Sequence, residues 1–290
     1  MLSRWSRAVA QITRVGSQSR IVGIMNGQNA LFSQNYAKAA EVPIDFNQKG
    51  SDASNIDMVK LDNLFSSKPR SLALAKDSPL RIEEPDYQGI RRFFLKLMLF
   101  YSKQSMSIRG ANVVYKRIIS QADKSAIYDI FNLEKTFKTT FSLLVLHMWM
   151  CLRRLKEEGK EGVEFGQYVY EIYNHDLEMR VSKAGVNLLL TKWMKDLEKI
   201  FYGNLVAYDA ALLPEAGKDG LSNAIWRNVF SEDGESEPSD AARFPVHVMA
   251  RYVRHELSCL SMTDKEAMFS GNFMFTPLEN PPPNSTKPKP

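Results

Sequence analysis

Cysteine, histidine and long apolar runs are scarce in this chain of 290 residues, and each scarcity excludes a class of protein. The two cysteines, Cys151 and Cys259, lie in apolar stretches and offer no disulfide framework, so we expect small buried side chains. His255 precedes Glu256, but no second histidine follows four positions later, which excludes the zinc-protease signature. No glycine-rich loop follows a convincing strand. This census gives no candidate catalytic group.

The longest apolar stretch covers residues 141–152 and contains only two polar residues, Ser142 and His147. A helix that is apolar on every side is usually buried on every side. The stretch is too short to span a bilayer, which needs about 20 residues, so it predicts a central helix in a folded core. Gly159 is a natural stop. Cations favour the dipole at a helix end, and three of them lie in the last turns: Arg153, Arg154 and Lys156.

Acidic residues are absent from the first forty positions. The apolar residues Leu2, Trp5, Val9 and Ile12 recur there at helical spacing, and serine is frequent. An amphipathic, arginine-rich and acid-poor segment is typical of a mitochondrial presequence, with a chloroplast transit peptide as the alternative. We expect cleavage within residues 36–40. The cations of this segment are Arg4, Arg7, Arg14, Arg20 and Lys38.

The basic net charge of +5 comes from this first segment, because its five cations face no acid. The other 33 Lys and Arg balance all 33 Asp and Glu. An asymmetry remains: residues 87–160 hold 14 cations and 5 acids, whereas residues 161–290 hold 13 cations and 19 acids. The cationic excess of residues 87–160 could bind ribosomal RNA, anionic lipid or an acidic partner. Alternatively, the two sets of charges lie on solvated faces and offset each other in the fold.

Composition divides the chain into four segments. A presequence over residues 1–40 is followed by a disordered linker over 41–86, which is rich in Ser, Asp, Asn and Lys. Residues 87–278 are helical in pattern almost throughout, and the proline-rich tail over 279–290 should be disordered. We therefore predict an all-α protein with a single compact multi-helix domain and disordered N-terminal and C-terminal segments.

The domain should open with a basic amphipathic helix over residues 89–103. Its apolar residues lie opposite its cations, which are Arg91, Arg92, Lys96 and Lys103. A helix of this kind can lie on an anionic membrane surface or contact a ribosome, or it can pack on its own domain. These alternatives stay open on the sequence alone.

A helical wheel at 100° per residue indicates an unusual pair in the helix predicted over residues 163–184. Asp176 and Arg180 point into the middle of its apolar face and are four residues apart. Because charges at a helix interface persist only when they are paired, we predict an inward ion pair, extended by another helix. Loss of one partner of such a pair costs about 3 kcal/mol or more.

Local signals give four further expectations for helix ends. Asn132 is a plausible N-cap for the central helix. Gly203-Asn204 is a helix-stop pair, and Ser222 should cap a short helix. A long helix is expected over residues 244–261, with Pro245 in its first turn.

His147 is the polar residue with the most open interpretation. A satisfied core histidine is favoured by its apolar neighbours, and a haem ligand is the alternative. An all-helical enzyme acting on a lipid or quinone through a pocket near His147 is the corresponding functional alternative.

A series of motifs carries a family resemblance: LHMWMCLRRLKEEGKEG, Asp176 and Arg180 in the following helix, then AYDAAL, AIWRNVF and YVRHEL. Together they resemble the ubiquinol–cytochrome c chaperone family over residues 112–278. The Arg153-Arg154 doublet and the proline-rich tail look like the plant-type version of that family. The positions that match are His147, Trp149, Arg153, Arg154, Glu158, Gly159, Asp176, Arg180, Tyr208, Asp209, Trp226, Arg227 and Tyr252.

The resemblance implies an all-helical assembly factor for respiratory complex III, with no enzymatic activity and no cofactor. It implies binding of newly made cytochrome b, with a small partner protein, near the exit of the mitochondrial ribosome. The expected location is the matrix side of the inner membrane, with peripheral membrane association and no DNA partner. We expect each matched residue to belong to the core, a helix cap, an ion pair or a partner surface. Besides the enzyme, a general ribosome-associated factor is the second alternative to the chaperone.

Overall fold

The computed structural model describes residues 65–83, 88–97, 101–186, 188–231 and 239–278. Within these ranges the chain folds into nine α-helices and one isolated antiparallel β-bridge. The helices are α1 (Ile90–Leu97), α2 (Lys103–Ala122), α3 (Ser125–Ile130), α4 (Phe137–Lys156), α5 (Gly159–Lys183), α6 (Leu190–Ala211), α7 (Gly220–Ile225), α8 (Asp240–Ser261) and α9 (Lys265–Ser270). A short 3₁₀ turn at Pro214–Ala216 precedes α7, and a π-helical turn at Trp226–Phe230 continues it.

Helix α4 is the centre of the core. Every side chain from Phe141 to Leu152 is buried, which confirms the buried helix predicted from the longest apolar stretch. Helices α2, α5, α6 and α8 all pack against it. Because α4 has neighbours on every side, it can be apolar on every side, and its two polar residues must find partners inside the protein.

The start of α4 differs from the expectation. Thr136 is the N-cap, and its hydroxyl accepts from the Thr139 backbone N–H while the Thr139 hydroxyl accepts from the Thr136 N–H. Asn132, expected as the cap, lies four residues earlier with a φ of 50°. A reciprocal Thr–Thr box satisfies two free N–H groups at once, and the left-handed turn at Asn132 separates α3 from α4.

The expected stop at Gly203-Asn204 was wrong. Helix α6 runs unbroken through both residues to Ala211. Asn204 is buried on the same side of the helix as Phe201 and Tyr208. Glycine inside a helix costs only about 1 kcal/mol, so packing of this continuous face outweighs the local preference to end.

The predicted starts of two later helices, α7 and α8, were also wrong. Ser222 lies inside α7, where its buried hydroxyl is 3.3 Å from Nδ1 of His247 on α8, and Asp219 precedes the helix. Helix α8 starts at Asp240, with the Ser239 hydroxyl accepting from Ala242 N–H, so Pro245 lies inside the helix rather than in its first turn.

Residues 65–83, which we expected to belong to a disordered linker, lie against the helical domain. Phe65 and Leu72 are buried, and Leu72 N–H donates to the Thr263 hydroxyl at 2.9 Å. Leu74 N–H donates to the Asn272 carbonyl at 2.8 Å, and Met274 N–H donates to the Leu72 carbonyl at 3.1 Å. Helical periodicity could not reveal this segment, because its order comes from backbone pairing with a segment about 200 positions later.

The prediction of an all-α protein with one multi-helix domain is confirmed. No helix in the described ranges has both the length and the hydropathy needed to cross a bilayer. The predicted presequence and the tail over residues 279–290 lie outside the described residues. Of the predicted linker, the structure describes residues 65–83 but not residues 41–64 or 84–86.

Helices α2 and α9 pack closely together at Gly110. A Cβ atom built at this position would lie 2.0 Å from the backbone carbonyl oxygen of Phe269 and 3.3 Å from the ring of Phe165. A carbonyl oxygen cannot swing aside as a flexible side chain can. Glycine is therefore required here for space rather than for its backbone freedom.

Replacement of Gly110 by alanine should destabilise the domain. Separation of two packed helices should lower the unfolding free energy by at least about 1 kcal/mol, despite the gain of about 1 kcal/mol in helix propensity. Urea unfolding followed by circular dichroism measures the change. Lys116→Ala, at an exposed position of the same helix, is the matched control and should stay within about 0.5 kcal/mol of wild type. Equal stability of G110A and wild type would contradict the close approach.

Candidate functional site

The Asp176 and Arg180 side chains form a salt bridge in α5. The Arg180 Nε donates to Asp176 Oδ2 at 2.6 Å, and its Nη2 donates to Asp123 Oδ2 at 2.9 Å. The Tyr115 hydroxyl, from α2, donates to the same Asp176 oxygen at 2.7 Å. Since Asp123 is the C-cap residue of α2, this four-residue cluster joins α5 to both the middle and the C-terminal end of α2.

Electrostatics fixes the protonation states in this cluster. Burial acts to lower the pKa of the Arg180 guanidinium, but hydrogen bonds to Asp123 and Asp176 outweigh it and raise the pKa above its usual range. Burial, followed by the hydrogen bond to Asp176, raises the pKa of the Tyr115 hydroxyl above its usual range. Arg180 therefore stays charged and Tyr115 stays a neutral donor, as a structural cluster requires.

A second cluster joins α4 to α6. The Trp149 indole Nε1 donates to Asp209 Oδ1 at 3.0 Å, and the Arg153 Nη1 donates to the same oxygen at 2.7 Å. The Trp149 ring also packs on Tyr208, with 5.0 Å between ring centroids. Trp149 and Tyr208 are buried whereas Arg153 is exposed, so this cluster runs from the core to the surface.

Arg154, the neighbour of Arg153, is buried and contacts α8 instead of α6. Its Nε donates to the Leu260 carbonyl at 2.9 Å, and its Nη2 donates to the Thr263 carbonyl at 2.8 Å. Glu158 lies 2.7 Å from the same guanidinium. A cation at the C-terminal end of α8 satisfies carbonyls that have no partner within the helix and complements the helix dipole. Arg154 is thus a helix cap and not a surface residue.

The remaining predicted positions are separate from these clusters. Gly159 turns the chain from α4 into α5 with a φ of 64°, a conformation that glycine adopts without strain. Trp226 is half-buried and stacks near Phe230, with 6.3 Å between ring centroids, and Arg227 is exposed. The matched residues therefore do not converge on one cleft.

His147 is fully engaged inside the core. Its Nδ1 lies 2.7 Å from the Leu143 carbonyl, which can only accept, so this nitrogen carries the proton. Its Nε2 then accepts from the Tyr252 hydroxyl at 2.8 Å, and that hydroxyl accepts from Gln121 Nε2 at 3.2 Å. Burial lowers the pKa of His147 to about 4, against a smaller opposing effect of the Leu143 hydrogen bond. Neither nitrogen is free to bind haem or a metal.

Glu256 is a buried carboxylate that the sequence reasoning missed. It lies one turn after Tyr252 on α8, and both of its oxygens are 3.3 Å from the Thr276 backbone N–H. Burial raises the pKa of Glu256 to about 7, although hydrogen bonds from Thr276 act to lower it. A wheel drawn for α8 would have placed this acid beside the apolar stripe, as it did for Asp176 in α5.

The predicted basic surface is only partly available. Arg92 and Lys96 are exposed on α1, but Lys103 pairs with Glu161 of α5 at 2.8 Å. The hydrogen bond and charge of Glu161 raise the pKa of Lys103. The position of the Arg91 side chain lies outside what the structure describes. In the described part of the chain, no three His, Cys, Asp or Glu side chains are grouped to hold a metal ion.

Fold and clusters together define a class: an all-α single-domain protein whose matched polar residues mostly join helix to helix. Within that class, the sequence model described as ubiquinol–cytochrome C chaperone matches residues 129–275, which is half of the chain. The chain therefore belongs to the ubiquinol–cytochrome c chaperone family, as its motifs predicted.

Relatives and a solved structure agree with this assignment. Human ubiquinol-cytochrome c reductase complex assembly factor 1 is 29% identical over 225 residues, which cover 74% of this chain and 71% of the relative. The mitochondrial protein CBP3 of Saccharomyces cerevisiae is 27% identical over 154 residues, or 52% of this chain and 44% of the yeast protein. The crystal structure of the Cbp3 homolog from Brucella abortus aligns with a TM-score of 0.53 at 25% identity, covering 63% of this chain and 97% of that one.

Substitution of Asp176 by alanine should destabilise the domain by about 1–2 kcal/mol. This is less than the roughly 3 kcal/mol lost when a fully buried charge loses its only partner, because Asp123 still pairs with Arg180. Chemical denaturation measures the loss, and D123N/D176A should lose more than either single variant. Glu164→Ala removes an exposed partner of Lys160 and should cost less than about 0.5 kcal/mol. Equal costs for D176A and E164A would contradict a structural role.

Glu256→Gln should change stability in a pH-dependent way. The pKa of Glu256 is raised from its ordinary value of 4.5 to about 7, so the folded state favours the proton. The ionised carboxylate therefore destabilises the fold progressively as the pH rises from 4.5 to 7. The difference in unfolding free energy between E256Q and wild type should therefore shift in favour of E256Q by on the order of 2 kcal/mol between pH 5 and pH 8.

Melting temperatures at the two pH values give the comparison for Glu256. Glu215→Gln, at an exposed acid of the 3₁₀ turn, is the control and should change neither value. A constant difference between E256Q and wild type at both pH values would show that Glu256 does not carry this pH dependence.

Proposed function

We propose that this protein is a mitochondrial assembly chaperone for the ubiquinol–cytochrome c reductase complex, respiratory complex III. The observation that carries the proposal is the family match over residues 129–275, together with relatives named as assembly factors for that reductase complex. The yeast relative is named as mitochondrial. A presequence over residues 1–40, reached from charge pattern alone, supports the same compartment.

The proposed client is newly made cytochrome b, held on the matrix side of the inner membrane until assembly proceeds. A small partner protein and the exit of the mitochondrial ribosome are the further proposed contacts. Among the residues matched to the family, Arg153 and Arg227 are exposed and are the proposed partner-surface positions. Most of the others join one helix to another, so their proposed contribution to partner binding is through the fold.

A non-enzymatic role is part of the proposal. The enzyme alternative placed a lipid or quinone pocket near His147, but both imidazole nitrogens have partners and the ring is buried. This geometry weakens the alternative because an acid–base or ligand role needs a nitrogen that can reach a substrate. The buried acid Glu256 accepts hydrogen bonds from Thr276, within the fold.

Loss of the gene should separate the candidate functions. We expect a selective fall in complex III and in newly labelled cytochrome b, with the other mitochondrial translation products unchanged. A fall in all translation products would favour the general ribosome-associated factor. Normal complex III with altered quinone or lipid would favour the enzyme.

Co-purification provides the direct check on the client. After pulse labelling, the tagged mature protein should retain cytochrome b and release it during a chase, while other labelled translation products stay in the unbound fraction. An R227E variant, changed at an exposed position, should fold with a normal melting temperature and retain less cytochrome b. Equal recovery of all labelled products would contradict a specific client.

A further inference from the structure

Helix α1 leaves its apolar stripe exposed to solvent. At 100° per residue, four of its five large apolar residues, all except Leu95, fall within about 100° of arc around the helix. Their exposed fractions are 77% for Ile90, 67% for Phe93, 57% for Phe94 and 70% for Leu97. The apolar face of a surface helix normally packs on the core of its own domain. Here these four side chains are exposed, which does not fit the alternative in which this face packs on its own domain.

The opposite side of α1 is basic. Arg92 and Lys96 are four residues apart, are both exposed, and the helix contains no acidic residue. Lys103 does not extend this basic face, because its ammonium group is already 2.8 Å from Glu161. The helix thus presents a narrow apolar stripe with two cations on its polar side.

We propose that α1 is a lipid-docking helix that lies in the surface of an anionic bilayer. Apolar side chains would enter the acyl boundary while Arg92 and Lys96 contact phosphate groups, which is how interfacial helices divide their two faces. An RNA surface would use the cations but would leave four large apolar side chains in water. The inference rests on the proposed matrix-side function for its location, and it adds the element and the ligand class: anionic phospholipid.

The chemistry of the helix also indicates the strength of docking. One eight-residue helix with two cations is short, so the contact should be weak, reversible and dependent on salt. Such a contact positions a protein beside a membrane without fixing it there. Helix α1 precedes the family-matched region at residues 129–275, so docking and partner binding use different parts of the chain.

Flotation with phospholipid vesicles tests the proposal. The full chain is mixed with vesicles of phosphatidylcholine, alone or with phosphatidylglycerol, and the co-floating fraction is measured at several salt concentrations. Because residues 1–40 are themselves basic and amphipathic, every protein carries R4Q, R7Q and R14Q as a common background. We expect binding to the anionic vesicles that weakens as salt rises.

Two α1 variants separate the apolar and charged contributions. F93S/F94S should weaken binding to anionic vesicles by about tenfold or more, given the transfer free energy of two aromatic side chains. R92Q/K96Q should weaken the same binding and remove most of its salt dependence. L213S/M262S changes two apolar residues that are half-exposed elsewhere and should bind as the background protein does. Since all these side chains are exposed, each variant should keep its melting temperature.

The proposal is overturned if F93S/F94S binds vesicles as well as the background protein, or if L213S/M262S loses as much. It is also overturned if the protein fails to float but binds isolated mitochondrial ribosomes through α1. Failure of the proposed function is a different result: gene loss would leave complex III unchanged, whatever the vesicles show. Weakened flotation together with full rescue of complex III by F93S/F94S would uphold lipid docking and show that assembly does not need it.

Discussion

The buried guanidinium of Arg154 is the interaction on which most of this fold depends. It donates to two carbonyls at the end of α8 and pairs with Glu158, the N-cap residue of α5, so one side chain on α4 connects three helices of the core. The same turn includes Thr263, whose hydroxyl donates to the Cys259 carbonyl and accepts from Leu72. Without the guanidinium, a charge partner and two buried carbonyls would lose their hydrogen bonds together, which costs far more than a surface ion pair.

Sequence periodicity was enough to predict the all-α fold, the buried α4 and the pairing partner of Arg180, because each follows from residues within one or two turns of a helix. It could not separate Arg153 from Arg154. Adjacent arginines at a helix end look alike in sequence, and only the positions of α6 and α8 make one exposed and the other buried. Asp123 and Tyr115 were missed for the same reason, since both meet α5 from positions about 60 residues away.

Errors at helix ends have a common physical cause. Gly203-Asn204 and Pro245 carry local signals to stop or start a helix, but packing against neighbouring helices continued the helix through both. The segment over residues 65–83 is the converse case. It has little local preference for any structure and is ordered by backbone hydrogen bonds with residues 272–274. Local sequence is informative where an element is stabilised locally, and uninformative where distant backbone provides the partner.

Most polar residues that match the family lie in clusters that join helices, and this distribution separates residues with partners inside the fold from residues on its surface. Trp149, Arg153, Asp209, Asp176 and Arg180 have partners within the fold, whereas the apolar stripe of α1 and Arg227 are exposed on the surface. A chaperone of this construction can change its partners through its surface without a change in its core. The exposed apolar stripe of α1 and the buried centre of α4 are the two extremes of that division.

The hydrogen bond from the Leu72 backbone N–H to the Thr263 hydroxyl also has a consequence for the order of folding. These residues are 191 positions apart, so this contact closes only after everything between them has entered the same compartment. Contacts of such long separation form late, because the loop entropy is lost before the contact is gained. On the proposed import into the mitochondrion with the N-terminus first, the segment that contains Leu72 therefore stays unpaired until α8 has emerged from the membrane pore. Completion of the domain then reports that translocation has passed its last helices.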